Sequence, residues 1–311
     1  MKEWSLALVS ILLVLGPEVR DLGETQENRD KGTIRQLLLV TDGCSNLGGD
    51  PVEVARQARS QQIVVNVIGI VDGGELGRPG KEEILSISDA GGGMCRVVQL
   101  NDLSATAQMV THQTMQMTLQ QVVNQELMQV MGKTTEDLAP DERARVARVV
   151  NQLEEELRLE LVVAVDTSAS MKDKMQMVRE AIRDLSLSLE ARQGETRVAV
   201  IAFPRPGGEE THVIQPFTDS IDFSALDKML AARGGTPTAP ALKEALRLFA
   251  SLRAETKRAE RTETRRSSSE ARLPSTEAPS PSTEVILPEG LTSADEDELP
   301  THRWDGTSGG H

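Results

Sequence analysis

Apolar positions along the chain fall into two kinds of run. Short unbroken runs occupy residues 37–41 (LLLVT), 63–71 (IVVNVIGIV), 96–100 (RVVQL), 159–165 (LELVVAV), 197–203 (RVAVIAF) and 213–217 (VIQPF). Such runs suit strands buried on both faces of a parallel sheet. Between them, apolar residues recur at helical spacing. Residues 51–60, 81–90, 172–190 and 240–252 read as helices, the third with Met175, Val178, Ile182, Leu185 and Leu189 on one face. Two further helices fill the middle. One covers about 102–131, with a stripe of Met115, Leu119, Val122, Val123, Leu127, Val130 and Met131 read as core. The other starts at Pro140 with Asp141 and Glu142 in its first turn, and its stripe is Val146, Val149, Val150, Leu153 and Leu157. Strands alternating with helices over short connections imply an α/β fold with a mostly parallel sheet and right-handed crossovers.

The patterning stops at both ends. Residues 17–31 are charged and aperiodic, as in a linker, and after Arg253 the chain turns to Arg, Glu, Ser, Thr and Pro without apolar spacing. The expected division is an apolar segment and linker over 1–31, an α/β half over 32–115, a helical joining segment over 116–158, a second α/β half over 159–252, and a disordered tail over 253–311. The apolar run within residues 4–15 has the length of a signal-peptide core and is short for a membrane span. Glu3 offsets Lys2, and no small-residue cleavage motif follows. This run therefore stays open between an export signal or membrane anchor, an extra amphipathic helix, and translated sequence upstream of the true start.

Composition narrows the function. Acidic residues number 48 against 34 basic, a net charge of −14, and aromatic residues make up 2% with no Tyr. Nucleic-acid binding needs a basic surface or stacking aromatics, and neither is available. Two cysteines, Cys44 and Cys95, are too few and too far apart for a disulfide framework or a zinc site. A reduced, cytoplasmic setting is expected, with membrane anchoring or export as the alternative. Because Cys44 follows one strand and Cys95 precedes another parallel to it, the thiols should sit at opposite edges of the sheet.

Three oxygen-rich loops carry the candidate chemistry, and each lies at a strand end or before a helix. They are Asp166-Thr167-Ser168-Ala169-Ser170, Gly234-Gly235-Thr236-Pro237-Thr238 and Thr41-Asp42-Gly43. Singly, each has an ordinary explanation as a helix cap or a turn. Together at the carboxyl ends of parallel strands, where open sheets collect ligands, they form an all-oxygen donor set suited to a small hard cation.

These loops resemble the metal-ion-dependent adhesion site of von Willebrand factor A domains. LVVAVDTSASM is similar to that family's first strand with its DxSxS motif, RGGTPTAPAL to its threonine loop, and LLLVTDG to its fourth strand and aspartate. The resemblance implies a Rossmann-like, doubly wound sheet of order 3-2-1-4-5-6. It also implies a metal site in which Ser168, Ser170 and Thr236 contact Mg²⁺ or Mn²⁺ directly or through water, while Asp166 and Asp42 hold it through bound waters. A typical member runs DxSxS, threonine loop, aspartate strand; here the aspartate strand comes first. The order is that of a circular permutation, with residues 116–158 joining the old ends. One chain, or a domain-swapped dimer, would then complete the cage. KGTIRQLLLVTDGCSN and GGGMCRVVQL further resemble the YabS-like von Willebrand A proteins of endospore-forming bacteria, over residues 31–252.

The function so implied is a non-enzymatic interaction module, sporulation-associated, whose bound cation captures a carboxylate from a protein partner. Two other readings are weighed. An accessory subunit of an ATPase machine would draw its nucleotide from the partner, since the chain has no GxxxxGK[ST] loop. A metal-dependent hydrolase would need a general base, yet His112 and His212 flank none of the three loops. The acidic run Asp295-Glu296-Asp297-Glu298 is read as a solubilising tail, with an internal ligand for the cage as its alternative.

Overall fold

The computed structural model describes residues 32–71, 77–205, 210–229, 232 and 234–270. The expectations for residues 1–31 and 271–311, including the apolar run at 4–15 and the acidic run at 295–298, lie outside the described residues. The chain divides into compact units over 1–261 and 262–311, and the first holds the whole sheet.

In that unit the strands are β1 (Thr33–Thr41), β2 (Ile63–Val71), β3 (Gly92–Gln99), β4 (Arg158–Asp166), β5 (Thr196–Phe203) and β6 (His212–Thr218). They form one sheet in the order β3-β2-β1-β4-β5-β6, parallel except for the antiparallel edge strand β6. The chain leaves β1 towards one edge and leaves β4 towards the other. The switch point therefore lies between these two neighbours, where Val40 stands opposite Val165.

Helices cover both faces. Leu37 and Leu39 of β1 pack with α1 (Pro51–Ser60), α2 (Arg78–Gly91) and α7 (Thr238–Glu270), while Leu38 and Val40 pack with α3 (Leu103–Met131) and α5 (Met175–Glu190). This alternation explains why β1 reads as continuously apolar: each face of the strand has its own helical layer. The short α6 (Phe223–Met229) follows β6.

Local chemistry sets the element ends. Asp50 accepts from Val52 N at 2.8 Å, with Pro51 as the first residue of α1. At the junction of α2 and β3, Gly92 has φ +69 and closes the helix. At Gly93 an added Cβ would lie 2.2 Å from the Val65 carbonyl oxygen, so only glycine lets the strand begin at once. As a result β3 starts at Gly92, and Cys95 lies inside it opposite Val67 rather than ahead of it. Both thiols are free.

Residues 116–158, expected to join the two halves, hold the later part of α3 and all of α4 (Pro140–Glu156). A buried polar network fixes α3 on the sheet: Gln36 donates to the Thr111 carbonyl (3.1 Å), Asn66 to Gln36 (3.3 Å), and Thr114 to Asn66 (2.9 Å). Directional bonds of this kind set helix register where apolar contacts alone would allow sliding. The core reading of the α3 stripe holds for Met115, Leu119, Val123 and Leu127, which are buried. Val130 and Met131 are 55% and 39% exposed, a correction. Val123 and Leu127 pack against Leu138 and Val146, and that small cluster goes no further along the helix.

A second correction concerns the tail. Residues 253–270, expected to be disordered, continue α7 as helix. Loss of apolar spacing signals loss of a buried face, which is a different thing from loss of helix. The segment is rich in Arg and Glu, places Glu255 three residues before Arg258, and grows from a turn anchored by buried Leu252 and by Arg253 donating to the Gln61 carbonyl at 2.6 Å.

Candidate metal centre

Asp42 and Asp166 leave the carboxyl ends of neighbouring strands, so the switch point itself brings the two carboxylates together. Asp166 is fully buried. One of its oxygens accepts the Thr41 hydroxyl at 2.6 Å and the other accepts Ser168 N at 2.8 Å. The first bond ties β1 to β4; the second folds the DxSxS loop back over its own aspartate. The Ser168 and Ser170 hydroxyls lie 3.1 Å apart, and Ser170 Oγ donates to Asp42 Oδ1 at 2.7 Å. A continuous hydrogen-bonded path thus runs Thr41–Asp166–Ser168–Ser170–Asp42.

The threonine loop closes one side. Gly234 has φ +78, and its carbonyl accepts Ala169 N at 3.1 Å. Thr236, 5% exposed, donates its N–H to Asn46 Oδ1 at 2.8 Å, and its carbonyl accepts Asn46 N at 3.2 Å. This reciprocal clasp binds the loop after β1 to the loop before α7. Thr236 is tied through its backbone to Asn46, whereas Asp42, Asp166, Ser168 and Ser170 are joined to one another directly. The DxSxS loop is pinned on its far side as well: Thr167 donates its hydroxyl to the Pro204 carbonyl at 3.0 Å and its N–H to the Phe203 carbonyl at 2.7 Å.

Three residues that the sequence reading did not assign to the site are integral to it. Thr41 and Asn46 lie in or beside a loop already marked, but their partners are more than a hundred residues away. Lys174 is the third. Its Nζ lies 2.5 Å from Asp42 Oδ2 and 3.3 Å from the Ser170 carbonyl oxygen. The side chains are nearly enclosed, 13% exposed for Lys174 and 2% for Asp42. Two lysines follow the motif, and only the loop's path shows which one turns inward: Lys172 is exposed.

The electrostatics are those of an under-neutralised acidic site. Burial pushes the Asp166 carboxyl up to about 6, and the nearby Asp42 charge adds to the effect, against the lowering by the Thr41 and Ser168 bonds. Two carboxylates face one ammonium. The donors are carboxylate and hydroxyl oxygens alone, which fits a small hard divalent cation and does not suit a soft metal. Among the described residues no group of three or more His, Cys, Asp or Glu side chains gathers anywhere, so an ion here would rely on the hydroxyls. Both halves of the cluster lie in one chain here.

Known proteins resemble the chain over most of its α/β region. Models of the von Willebrand factor type A domain match residues 161–266 and, separately, residues 19–113. YabS of Bacillus subtilis (strain 168) is 43% identical over 228 residues, covering 72% of this chain and 93% of that protein. A crystal structure of a protein from Alicyclobacillus acidocaldarius subsp. acidocaldarius DSM 446 shares 61% identity with a TM-score of 0.69, over 72% of this chain and 97% of that one. With the α/β sheet and the oxygen-rich loops at its switch point, these matches show that the chain belongs to the von Willebrand factor type A domain family and resembles its YabS-like members.

Proposed function

We propose that the cluster binds Mg²⁺ or Mn²⁺ and that the loaded site captures a carboxylate from a protein partner. The observation that carries this reading is the hydrogen-bonded path joining Asp166, Ser168, Ser170 and Asp42 at the switch point. Ser168, Ser170, Asp42 and Asp166 would hold the ion, with Thr236 beside them. The ion would supply a divalent charge at a rim where an incoming carboxylate is partly desolvated and attraction is strong. Von Willebrand factor A domains commonly mediate metal-dependent protein interactions, which supports the assignment. In this reading the chain is a circular permutation of the family order, with α3 and α4 joining the former ends. The YabS-like resemblance supports a setting in endospore formation.

The proposed role is non-catalytic. His112 lies on α3 with Nδ1 2.7 Å from Glu154 Oε1 of α4, and His212 begins β6; both belong to elements outside the three loops. Among the described residues no helix is long and apolar enough to cross a membrane.

The test is affinity capture from lysate with the full chain, in Mg²⁺ and in EDTA, beside an Asp166→Asn variant. Capture by wild type in Mg²⁺ alone, and by the variant in neither condition, is expected. Capture that persists unchanged in EDTA would move the binding surface away from the cage.

A further inference from the structure

We propose that Lys174 is a tethered counter-ion of the metal site, holding Asp42 in the metal-free protein and competing with the divalent cation for it. The inference rests on the cage being a cation site. It deepens that reading by giving occupancy a built-in threshold.

The argument starts from how fully Asp42 is engaged. One oxygen accepts the Ser170 hydroxyl at 2.7 Å and the other takes the Lys174 ammonium at 2.5 Å. Solvent reaches little of either charged side chain. Lys174 is held in place at its root, since it ends the tight turn Ala169–Lys174 immediately before α5, and at its tip, where Nζ also donates to the Ser170 carbonyl. It is therefore bound to the same loop that supplies the serine hydroxyls. A cation reaching Asp42 meets a positive charge already seated on that carboxylate. In a poorly hydrated site the repulsion between an ammonium and a divalent ion a few ångströms apart is large. Either the ammonium withdraws or the ion binds more weakly.

The arrangement also gives the loops a way to stay folded without an ion. Without Lys174, two carboxylates would face each other with only hydroxyl and amide partners, and the buried charge of Asp42 would lack compensation. With it, the loops would keep their arrangement without an ion. The cost falls on metal affinity, so a weak ion alone would load the site poorly, and a partner carboxylate that completes the coordination would tip the balance.

Calorimetric titration of the full chain with Mn²⁺ tests this, using wild type, Lys174→Met and Lys174→Arg. Methionine keeps the stem and removes the charge; arginine keeps the charge. Lys174→Met is expected to bind Mn²⁺ at least about tenfold more tightly than wild type, a difference of about 1.4 kcal/mol, with Lys174→Arg close to wild type. In EDTA, Lys174→Met should melt several degrees lower than wild type and recover on addition of Mn²⁺. Lys174→Gln takes its place if the methionine variant does not fold. Equal, measurable affinities for wild type and Lys174→Met would overturn the competition and leave the metal site standing. Absence of Mn²⁺ binding in both would overturn the metal site itself, and the role of Lys174 with it.

Discussion

The two ends of strands β1 and β4 bury charge in opposite ways. At the amino end Arg35 and Glu160 stand directly across from each other, joined Nε to Oε2 at 2.8 Å, with side chains 9% and 5% exposed. There a positive group faces a negative group on the neighbouring strand. At the carboxyl end the same strands deliver Asp166 and Asp42, and Lys174 supplies the positive charge. A balanced buried pair holds a structure together and offers nothing to a ligand. An unbalanced one retains negative charge that a cation can satisfy. The contrast separates structural burial of charge from functional burial within a single pair of strands.

Breaking the balanced end should have the largest effect. Glu160→Ala takes the Glu160 carboxylate away from the buried Arg35 guanidinium, and loss of one partner of a buried pair costs about 3–5 kcal/mol. Urea unfolding should show that loss equally in Mg²⁺ and in EDTA. A metal-dependent loss would mean that the two ends are coupled.

At the other end the sign of the pH response distinguishes the site. The folded-state pKa of Asp166 is raised from 3.8 to about 6, so the folded protein takes up a proton that the unfolded chain does not in the window between those values. Metal-free stability should therefore rise as pH falls through about 6 towards 4. Above the window, ionised Asp166 costs the fold up to about 3 kcal/mol. Unfolding of wild type and Asp166→Asn in EDTA at pH 4 to 8 isolates this contribution, because the variant should lack it. Metal affinity should run the other way and weaken below about pH 6, as the carboxylate protonates. A wild-type minus variant difference that does not change with pH would remove the under-neutralised character of the site.

The smallest effect is expected at the clasp. Asn46→Ala removes the acceptor of Thr236 N and should cost about 0.5–1.5 kcal/mol. Asn46 itself is solvent-exposed, so the fold should persist. The consequence to measure is Mn²⁺ affinity, which should drop severalfold as the threonine loop loosens. An unchanged affinity would show that Thr236 is placed by Gly234 and Pro237 without help from Asn46.

Much of the molecule was legible before its structure. Six strands and the helices between them follow from unbroken and periodic apolar runs, because a doubly covered sheet can be built from little else. Asp42, Asp166, Ser168, Ser170 and Thr236 were legible because each sits in a short local motif at an element boundary, and boundaries show in sequence. The errors share a cause. Val130 and Met131 continue a stripe that no described residue covers fully, and residues 253–270 form helix with no apolar stripe in their sequence. Periodicity reports what a helix would bury if a surface were offered; it does not report whether one is.

What the sequence by itself determined is thus the order of elements, the two carboxylates and the hydroxyls between them, since these depend on local pattern and on motifs a few residues long. Tertiary structure alone decided that β1 and β4 are neighbours, that Asn46 reaches across 190 positions to Thr236, and that Lys174 rather than Lys172 turns onto Asp42. Those contacts join loops distant in the chain. Their geometry is set by strand order and by the path of a six-residue turn, and no local pattern of residues encodes either.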